Sequence, residues 1–190
     1  MSQLETRDLK ALASRSEKDS SMKYCFVYGS NMDKEDLDKW CNKKKGKPKI
    51  EFFSVSPAKL NGYKLSFNYF SSSRKAGAAN IMKSDEDCIY GLLVGLEEES
   101  IKIIREKEGY PNYYDEINVE VEKFDGTIVL GVKTYKALKE KERPTYQALT
   151  KYYLSLLIKN AEKYSFPNEY IEFLKSLETK GRTRQYVPEV

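Results

Sequence analysis

Two short stretches of the sequence combine residue types that could carry out acid–base chemistry on a small polar ligand. The first is FVYGSNM at residues 26–32, where an apolar strand is followed by Gly29, Ser30 and Asn31. A turn of small residues can offer consecutive backbone N–H groups, and such nests bind carboxylates and other anions. The second is Glu108, at the end of a predicted helix over residues 97–108. The alternative for the first stretch is a purely structural role, as a plain turn with local capping.

Glu108 is placed on the apolar face of its predicted helix. It follows Ile101 and Ile104 at helical spacing, so the three side chains share one face. Glu106 and Lys107 are expected to point elsewhere. Burial and the negative end of the helix dipole would both raise the pKa of Glu108 toward neutrality, which suits a proton-transfer group. The alternative is a helix-end glutamate that turns out to water or pairs with a neighbouring lysine.

The composition excludes several other chemistries. The 190 residues contain no histidine, which rules out Ser-His-Asp and Cys-His catalysis and every His-ligated metal site. Proton transfer would therefore use a carboxylate, a Tyr, a Lys or a Cys. Cys25, Cys41 and Cys88 lie far apart without metal-ligand spacing, as expected of reduced thiols in a cytoplasmic protein.

The charge pattern bears on partners. The net charge of +4 is modest, and we interpret the basic run KKKGKPK at residues 43–49 as a solvated loop rather than a nucleic-acid surface. No apolar run approaches the length of a membrane span, and residues 1–22 lack the apolar core of a secretory signal. We therefore expect no nucleic-acid or membrane partner, while a homodimer stays an open possibility.

The pattern along the chain predicts one α+β domain over residues 23–180, with a disordered leader at 1–22 and a tail at 181–190. Strands dominate the first two thirds of this domain, with turns at Asn61-Gly62 and Asp125-Gly126. Helices are predicted from a capping Asp33 to Trp40 and over the segment that ends at Glu108. Two more helices make up the C-terminal third, one over residues 145–164 and one from Pro167 to before Gly181.

From about Tyr24 to Glu178 the chain resembles the γ-glutamylcyclotransferases. The segments that carry the resemblance are, in order, YCFVYGSNM, AGAANIM, YGLLVGL, IIREKEGYPNYYDEINVEV, VKTY, RPTY and FPNEYIEFLKSLE. The resemblance implies a compact mixed β-barrel of about six strands with flanking helices, two of them C-terminal. It also implies a small-molecule γ-glutamyl substrate and a reaction that needs neither cofactor nor metal.

The implied reaction converts a γ-glutamyl compound to 5-oxoproline and releases the free amino acid or amine. The substrate's own α-amino group attacks its γ-carbonyl, and the glutamate of the Glu-Gly element, here Glu108, takes the ammonium proton and gives it to the leaving amine. The strand-end turn would hold the γ-glutamyl head through backbone groups. The substrate-binding positions implied by the resemblance are Val27, Tyr28, Gly29, Ser30, Asn31, Tyr114, Tyr135 and Tyr146.

Several points stay open at this level. Tyr114 falls on the opposite strand parity from the apolar residues that follow it, so either a bulge intervenes or Tyr113 is the lining residue. Each tyrosine could also be an ordinary core residue with its hydroxyl at the rim. The expected substrates are γ-glutamyl amino acids or peptides, and glutathione is an open case. The alternatives are a cyclotransferase for γ-glutamylamines or another specialised conjugate, and a ligand-binding or interaction module without turnover.

Overall fold

The predicted strands close into a barrel. The computed structural model describes residues 22–44 and 48–181. Its strands are β1 (Lys23–Val27), β2 (Ser54–Ser71), β3 (Ala76–Leu96), β4 (Tyr114–Lys123) and β5 (Ile128–Ala137). They follow the order β1-β3-β2-β4-β5, and the barrel closes through a parallel pairing of β1 with β5 at Cys25 and Lys133. The other pairings are antiparallel, so this mixed barrel confirms the predicted fold class.

The barrel has five strands in the described residues, rather than the expected number of about six. The difference arises because β2 and β3 are 18 and 21 residues long and continue through irregularities in their pairing instead of ending there. Asn61-Gly62 does not form a turn between strands. It lies at a register shift within β2, where Gly62 has a φ of 77°, and such a bulge bends a strand without ending it. Asp125-Gly126 forms the turn between β4 and β5, as predicted.

Four α-helices flank the barrel in the described part of the chain. They are α1 (Lys34–Lys43), α2 (Glu98–Glu108), α3 (Lys151–Lys163) and α4 (Asn168–Ser176). Asp33 caps α1 as predicted, because its carboxylate accepts a hydrogen bond from the backbone N–H of Asp36 at 2.9 Å. None of the helices within residues 22–44 and 48–181 is long and apolar enough to cross a membrane.

The third helix starts later than the spacing of its apolar residues suggested. Its N-cap is Thr150, whose hydroxyl accepts a hydrogen bond from the backbone N–H of Tyr153 at 3.0 Å. Residues 145–149 are therefore not helical. The fourth helix begins directly after Pro167, as expected, and ends at Ser176. Of the predicted leader only Met22 lies within the described residues, and of the predicted tail only Gly181. The basic run at 43–49 is described only in part.

Helix α2 is fixed to the barrel by its apolar face and by a group of charges. Ile101 and Ile104 are fully buried. On the same helix, the guanidinium of Arg105 donates two hydrogen bonds to Glu116 of β4, at 2.7 and 2.8 Å. Lys133 of β5 donates to the same carboxylate at 2.5 Å. These contacts connect the C-terminal half of α2 to two strands of the barrel.

Candidate active site

A cavity of about 980 Å³ opens at the end of β1 and is the candidate active site. Its deep wall includes the buried side chains of Tyr28, Tyr114 and Tyr135. Its mouth includes exposed residues of α1, among them Lys39 and Lys43. The structure brings together eight of the nine predicted site residues along this lining, namely Val27, Tyr28, Gly29, Ser30, Asn31, Glu108, Tyr114 and Tyr135. Their roles stay predictions.

Glu108 lines the cavity at the last residue of α2 and is held by Asn31. The amide Nδ2 of Asn31 donates to Oε1 of Glu108 at 2.5 Å. Burial raises the pKa of Glu108, whereas nearby Lys107, the hydrogen bond from Asn31 and nearby Arg74 act in the opposite direction. The net shift is upward, so this carboxyl group is better suited than a solvated glutamate to accept and return a proton near neutral pH.

Lys107 also reaches the site, although the sequence predicted that its side chain points elsewhere. Its side chain is only 7% exposed, and Nζ donates to Oδ1 of Asn31 at 2.5 Å. An ammonium group can only donate, so this contact turns the carbonyl of Asn31 toward Lys107 and its NH₂ group toward Glu108. The prediction was wrong because it followed the direction of the Cα–Cβ bond, whereas the long lysine side chain bends back toward the loop.

Arg74 and Asp36 are two further residues of the site that the sequence did not reveal. Arg74 lies in the turn between β2 and β3, donates to Oγ of Ser30 at 3.0 Å and stacks over the ring of Tyr153 at 4.8 Å from its centroid. The Oδ2 atom of Asp36 lies 3.6 Å from Arg74 and 3.8 Å from Lys107. Two cations thus share one carboxylate of α1. No local pattern marks these residues, because the long β2–β3 hairpin and α1 meet only in the folded chain.

Tyr114 and Tyr113 both line the cavity, in different ways. Tyr114 is 6% exposed, and its hydroxyl donates to the backbone carbonyl of Ala79 at 2.9 Å. The pairing of β4 with β5 is regular from Tyr114 to Ile117, so no bulge lies in this stretch. Tyr114 therefore faces the cavity from the side of β4 opposite to Ile117. Tyr113 is 49% exposed and belongs to the rim.

The other phenols of the deep wall have fixed partners. Tyr135 donates to Oε2 of Glu116 at 2.8 Å, and the hydroxyl of Tyr28 donates to the backbone carbonyl of Tyr135. The hydroxyl of Tyr153 accepts a hydrogen bond from the backbone N–H of Ala79 at 2.9 Å. Burial raises the pKa of each, to about 12 in the case of Tyr153. These groups stay neutral at physiological pH and form a rigid polar wall.

Gly29 sits where a side chain would obstruct this wall. A Cβ atom built at this position lies 3.1 Å from the hydroxyl of Tyr153 and 3.5 Å from Cβ of Ala79. The lack of a side chain therefore lets the strand-end turn approach α3 and β3 closely.

Tyr146 is the one predicted site residue that the structure does not place at the cavity. It is 40% exposed, packs edge-on against Phe67 and donates its hydroxyl to the backbone carbonyl of Glu178 at 2.7 Å. Its expected position in the site is therefore corrected. The physical reason is the late start of α3, since Tyr146 precedes the helix and does not share the face of Tyr153. From this helix, Tyr152 and Tyr153 line the cavity.

The geometry is suited to proton transfer on a small polar molecule. Around the desolvated carboxylate of Glu108 it places the cations of Lys107 and Arg74 and several neutral phenols. Such a set can exchange a proton with an amine and can stabilise a carboxylate or an oxyanion. Within residues 22–44 and 48–181, no group of three or more Cys, Asp or Glu side chains is placed to hold a metal ion.

Comparison with known proteins identifies the family. The sequence model of the gamma-glutamyl cyclotransferase, AIG2-like family matches residues 25–154. The chain therefore belongs to this family. No curated protein sequence shows significant similarity to it.

Solved structures share the fold at low sequence identity. One gamma-glutamyl cyclotransferase is 24% identical, with a TM-score of 0.67 over 89% of this chain and 93% of its own. An uncharacterized protein from Homo sapiens is also 24% identical, with a TM-score of 0.66 over 90% and 94% of the two chains. A gamma-glutamyl cyclotransferase from yeast, described as specific to glutathione, is 13% identical, with a TM-score of 0.56 over 81% and 96%.

Proposed function

We propose that this protein is a γ-glutamyl cyclotransferase that converts γ-glutamyl amino acids or peptides to 5-oxoproline and the free amino acid or peptide. The observation that carries the proposal is Glu108, a desolvated carboxylate held by Asn31 beside the strand-end turn. The family of the chain supports the class of reaction. The placement of the cavity residues supports the mechanism below.

In this mechanism, the carboxylate of Glu108 removes a proton from the α-ammonium group of the substrate. The freed amine attacks the γ-carbonyl carbon, a C–N bond forms, and the carbonyl oxygen becomes an oxyanion. Glu108 then returns the proton to the leaving nitrogen. The original amide C–N bond breaks, which releases 5-oxoproline and an amine. The attacking nitrogen loses its second proton as it becomes the ring amide N–H, and this proton passes by way of Glu108 to the released amine, which leaves as an ammonium. Glu108 therefore ends the cycle ionised.

Beyond this proton transfer, the reaction requires the protein to orient the substrate and to stabilise the oxyanion. Ring closure is intramolecular, and effective molarities on the order of 10⁵ M are reached when such groups are well oriented. The turn at Tyr28, Gly29 and Ser30 lines the cavity and would orient the γ-glutamyl head through its backbone. Fixed donors that face the developing oxyanion would lower the barrier further.

The test is the release of 5-oxoproline from γ-glutamyl dipeptides and from glutathione by the purified protein. We expect product from at least one of them and a loss of about 10²-fold or more in turnover for Glu108→Gln, because a general acid–base group contributes that much. Glu99→Gln is the matched control, since it removes an exposed carboxylate from the same helix. It should turn over like the wild type.

Two results would contradict the proposal. Undiminished 5-oxoproline formation by Glu108→Gln would remove Glu108 from the mechanism. An absence of product from every substrate, together with a rise in Tm when γ-glutamyl dipeptides are added, would favour a binding module over an enzyme.

A further inference from the structure

The cavity lining carries an excess of positive charge. Its formal charges are five positive and three negative, contributed by Lys39, Lys43, Lys44, Arg74 and Lys107 against Asp36, Glu106 and Glu108. The excess of two is half of the net charge of +4 that the whole chain carries. A cleft lined by one sign of charge concentrates ligands of the opposite sign.

The charges are not spread evenly along the cavity. Glu108 and the buried phenols occupy the deep end, whereas Lys39 and Lys43 are exposed at the mouth. A substrate whose γ-glutamyl head lies at Glu108 must therefore direct its leaving group toward the mouth. Asp36, Lys39 and Lys43 follow one another at i, i+3 and i+7 along the same face of α1. Exposure increases along this face, because Asp36 is half-buried whereas Lys39 and Lys43 are exposed.

Arg74 lies beside the strand-end turn and close to Asp36 of α1, and it is held in one orientation. Its guanidinium stacks on Tyr153 and donates to Ser30, and its side chain is 25% exposed. A guanidinium has five N–H donors in a planar arrangement that matches a carboxylate. Its nearest carboxylate in the described residues, that of Asp36, is 3.6 Å away and is shared with Lys107. Arg74 therefore keeps capacity for a ligand carboxylate.

We propose that Arg74, Lys39 and Lys43 form a subsite for a carboxylate on the leaving group. The substrates of the protein are then γ-glutamyl compounds whose released amine carries a carboxylate, rather than γ-glutamylamines with an uncharged or cationic leaving group. This inference rests on the proposed cyclotransferase function and names the substrate class of the same site.

The test compares γ-glutamyl-alanine with γ-glutamyl-alaninamide, which have nearly the same shape and differ by one negative charge. We expect a kcat/KM about tenfold higher for the carboxylate, as one charge-assisted hydrogen bond provides. The preference should fall as the ionic strength rises, because exposed lysines are screened by salt. Equal kcat/KM for the two substrates would overturn the subsite and leave the cyclotransferase function intact.

Variants of the three cationic residues test which side chains cause the preference for the carboxylate substrate. Lys39→Gln combined with Lys43→Gln, and separately Arg74→Gln, should bring the ratio of the two kcat/KM values toward one. Lys34→Gln is the matched control, because Lys34 is on the same helix but outside the cavity lining. It removes one positive charge, as Arg74→Gln does, and should keep the wild-type ratio. A ratio that falls equally in Lys34→Gln would show a non-specific charge effect and would overturn the subsite.

A binding measurement separates this inference from the proposed function. Calorimetric titration of the Glu108→Gln variant with both compounds gives their Kd values without turnover. We expect tighter binding of γ-glutamyl-alanine by about tenfold. Equal Kd values would overturn the subsite whether or not the wild type releases 5-oxoproline, while absence of 5-oxoproline alone would count against the cyclotransferase function.

Discussion

At the scale of single residues, the protonation of Glu108 depends on a balance between burial and two cations. Burial raises its pKa, and Lys107, Asn31 and Arg74 lower it. The other titratable groups that feel its charge are phenols and one thiol, whose own pKa values are raised so that they stay neutral. These are Cys25, Tyr28, Tyr69, Tyr114, Tyr135 and Tyr153. Lys107 therefore acts as a positioning residue with an electrostatic effect.

Lys107→Met should shift the pH dependence of kcat/KM. Removing the positive charge raises the pKa of Glu108 further, so the acidic limb, which reports its ionisation, should move up by about one pH unit or more. Lys107→Arg keeps the charge and should leave the limb near its wild-type position. If both variants lower activity equally without moving the limb, Lys107 has only a structural role. The measurement is kcat/KM for 5-oxoproline release between pH 4 and pH 9, about the range in which a raised carboxyl pKa is visible.

At the scale of elements, the end of α2 decides where Glu108 lies. Gly109 follows it with a φ of 69°, and the backbone N–H groups of Gly109 and Tyr110 donate to the carbonyls of Glu106 and Arg105. This pair of hydrogen bonds is the Schellman arrangement, which requires the left-handed conformation at Gly109. The helix therefore stops directly after the carboxylate and leaves it at the cavity.

Gly109→Ala should lower both stability and activity. A side chain in the left-handed region costs about 1 to 2 kcal/mol of unfolding free energy, measured by urea denaturation. The new Cβ would also lie 2.7 Å from Cδ2 of Tyr113, so the end of α2 must shift.

The matched control for this change is Gly126→Ala. Gly126 also has a positive φ, of 86°, but a Cβ there meets nothing within 4 Å, and it is not part of the cavity. It should lose a similar amount of stability with unchanged kcat/KM. Wild-type stability and turnover in Gly109→Ala would show that this helix end does not depend on its backbone conformation.

At the scale of the whole molecule, Glu116 connects α2, β4 and β5. The hydrogen bond from Arg105, followed by those from Lys133 and Tyr135, holds its pKa at about 2, well below the usual 4.5, although burial acts to raise it. A carboxyl group with a lowered pKa in the folded state stabilises the protein above its unfolded pKa. This contribution is lost as the pH falls from about 4.5 to about 2.

Glu116→Gln should therefore lower the free energy of unfolding by about 2 kcal/mol at neutral pH, because it leaves partly buried cations without their carboxylate. The difference from the wild type should shrink as the pH approaches 2, where Glu116 itself becomes protonated. Urea denaturation at several pH values measures it. Glu120→Gln, at an exposed position of the same strand, should match the wild type throughout. A difference that is constant with pH would exclude the charge of Glu116 as its cause.

The sequence by itself determined the features that depend on neighbours in the chain. Apolar spacing and a terminal glycine placed Glu108 on the buried face at the end of α2, and Asp33 capped α1 as its residue type predicts. Alternation and the Asp125-Gly126 turn identified the β4–β5 hairpin. These signals are local, because helix and strand periods and capping bonds involve residues only a few positions apart.

Only the tertiary structure decided which side chains from distant segments meet around Glu108. Lys107 is within reach of Asn31 because α2 packs beside the end of β1, and Arg74 is present because two long strands form a single hairpin. Tyr153 lines the cavity in place of Tyr146 because α3 begins at Lys151. Contacts between residues that are 44 and 76 positions apart are set by how the elements pack. A periodic pattern within one element carries no information about that packing.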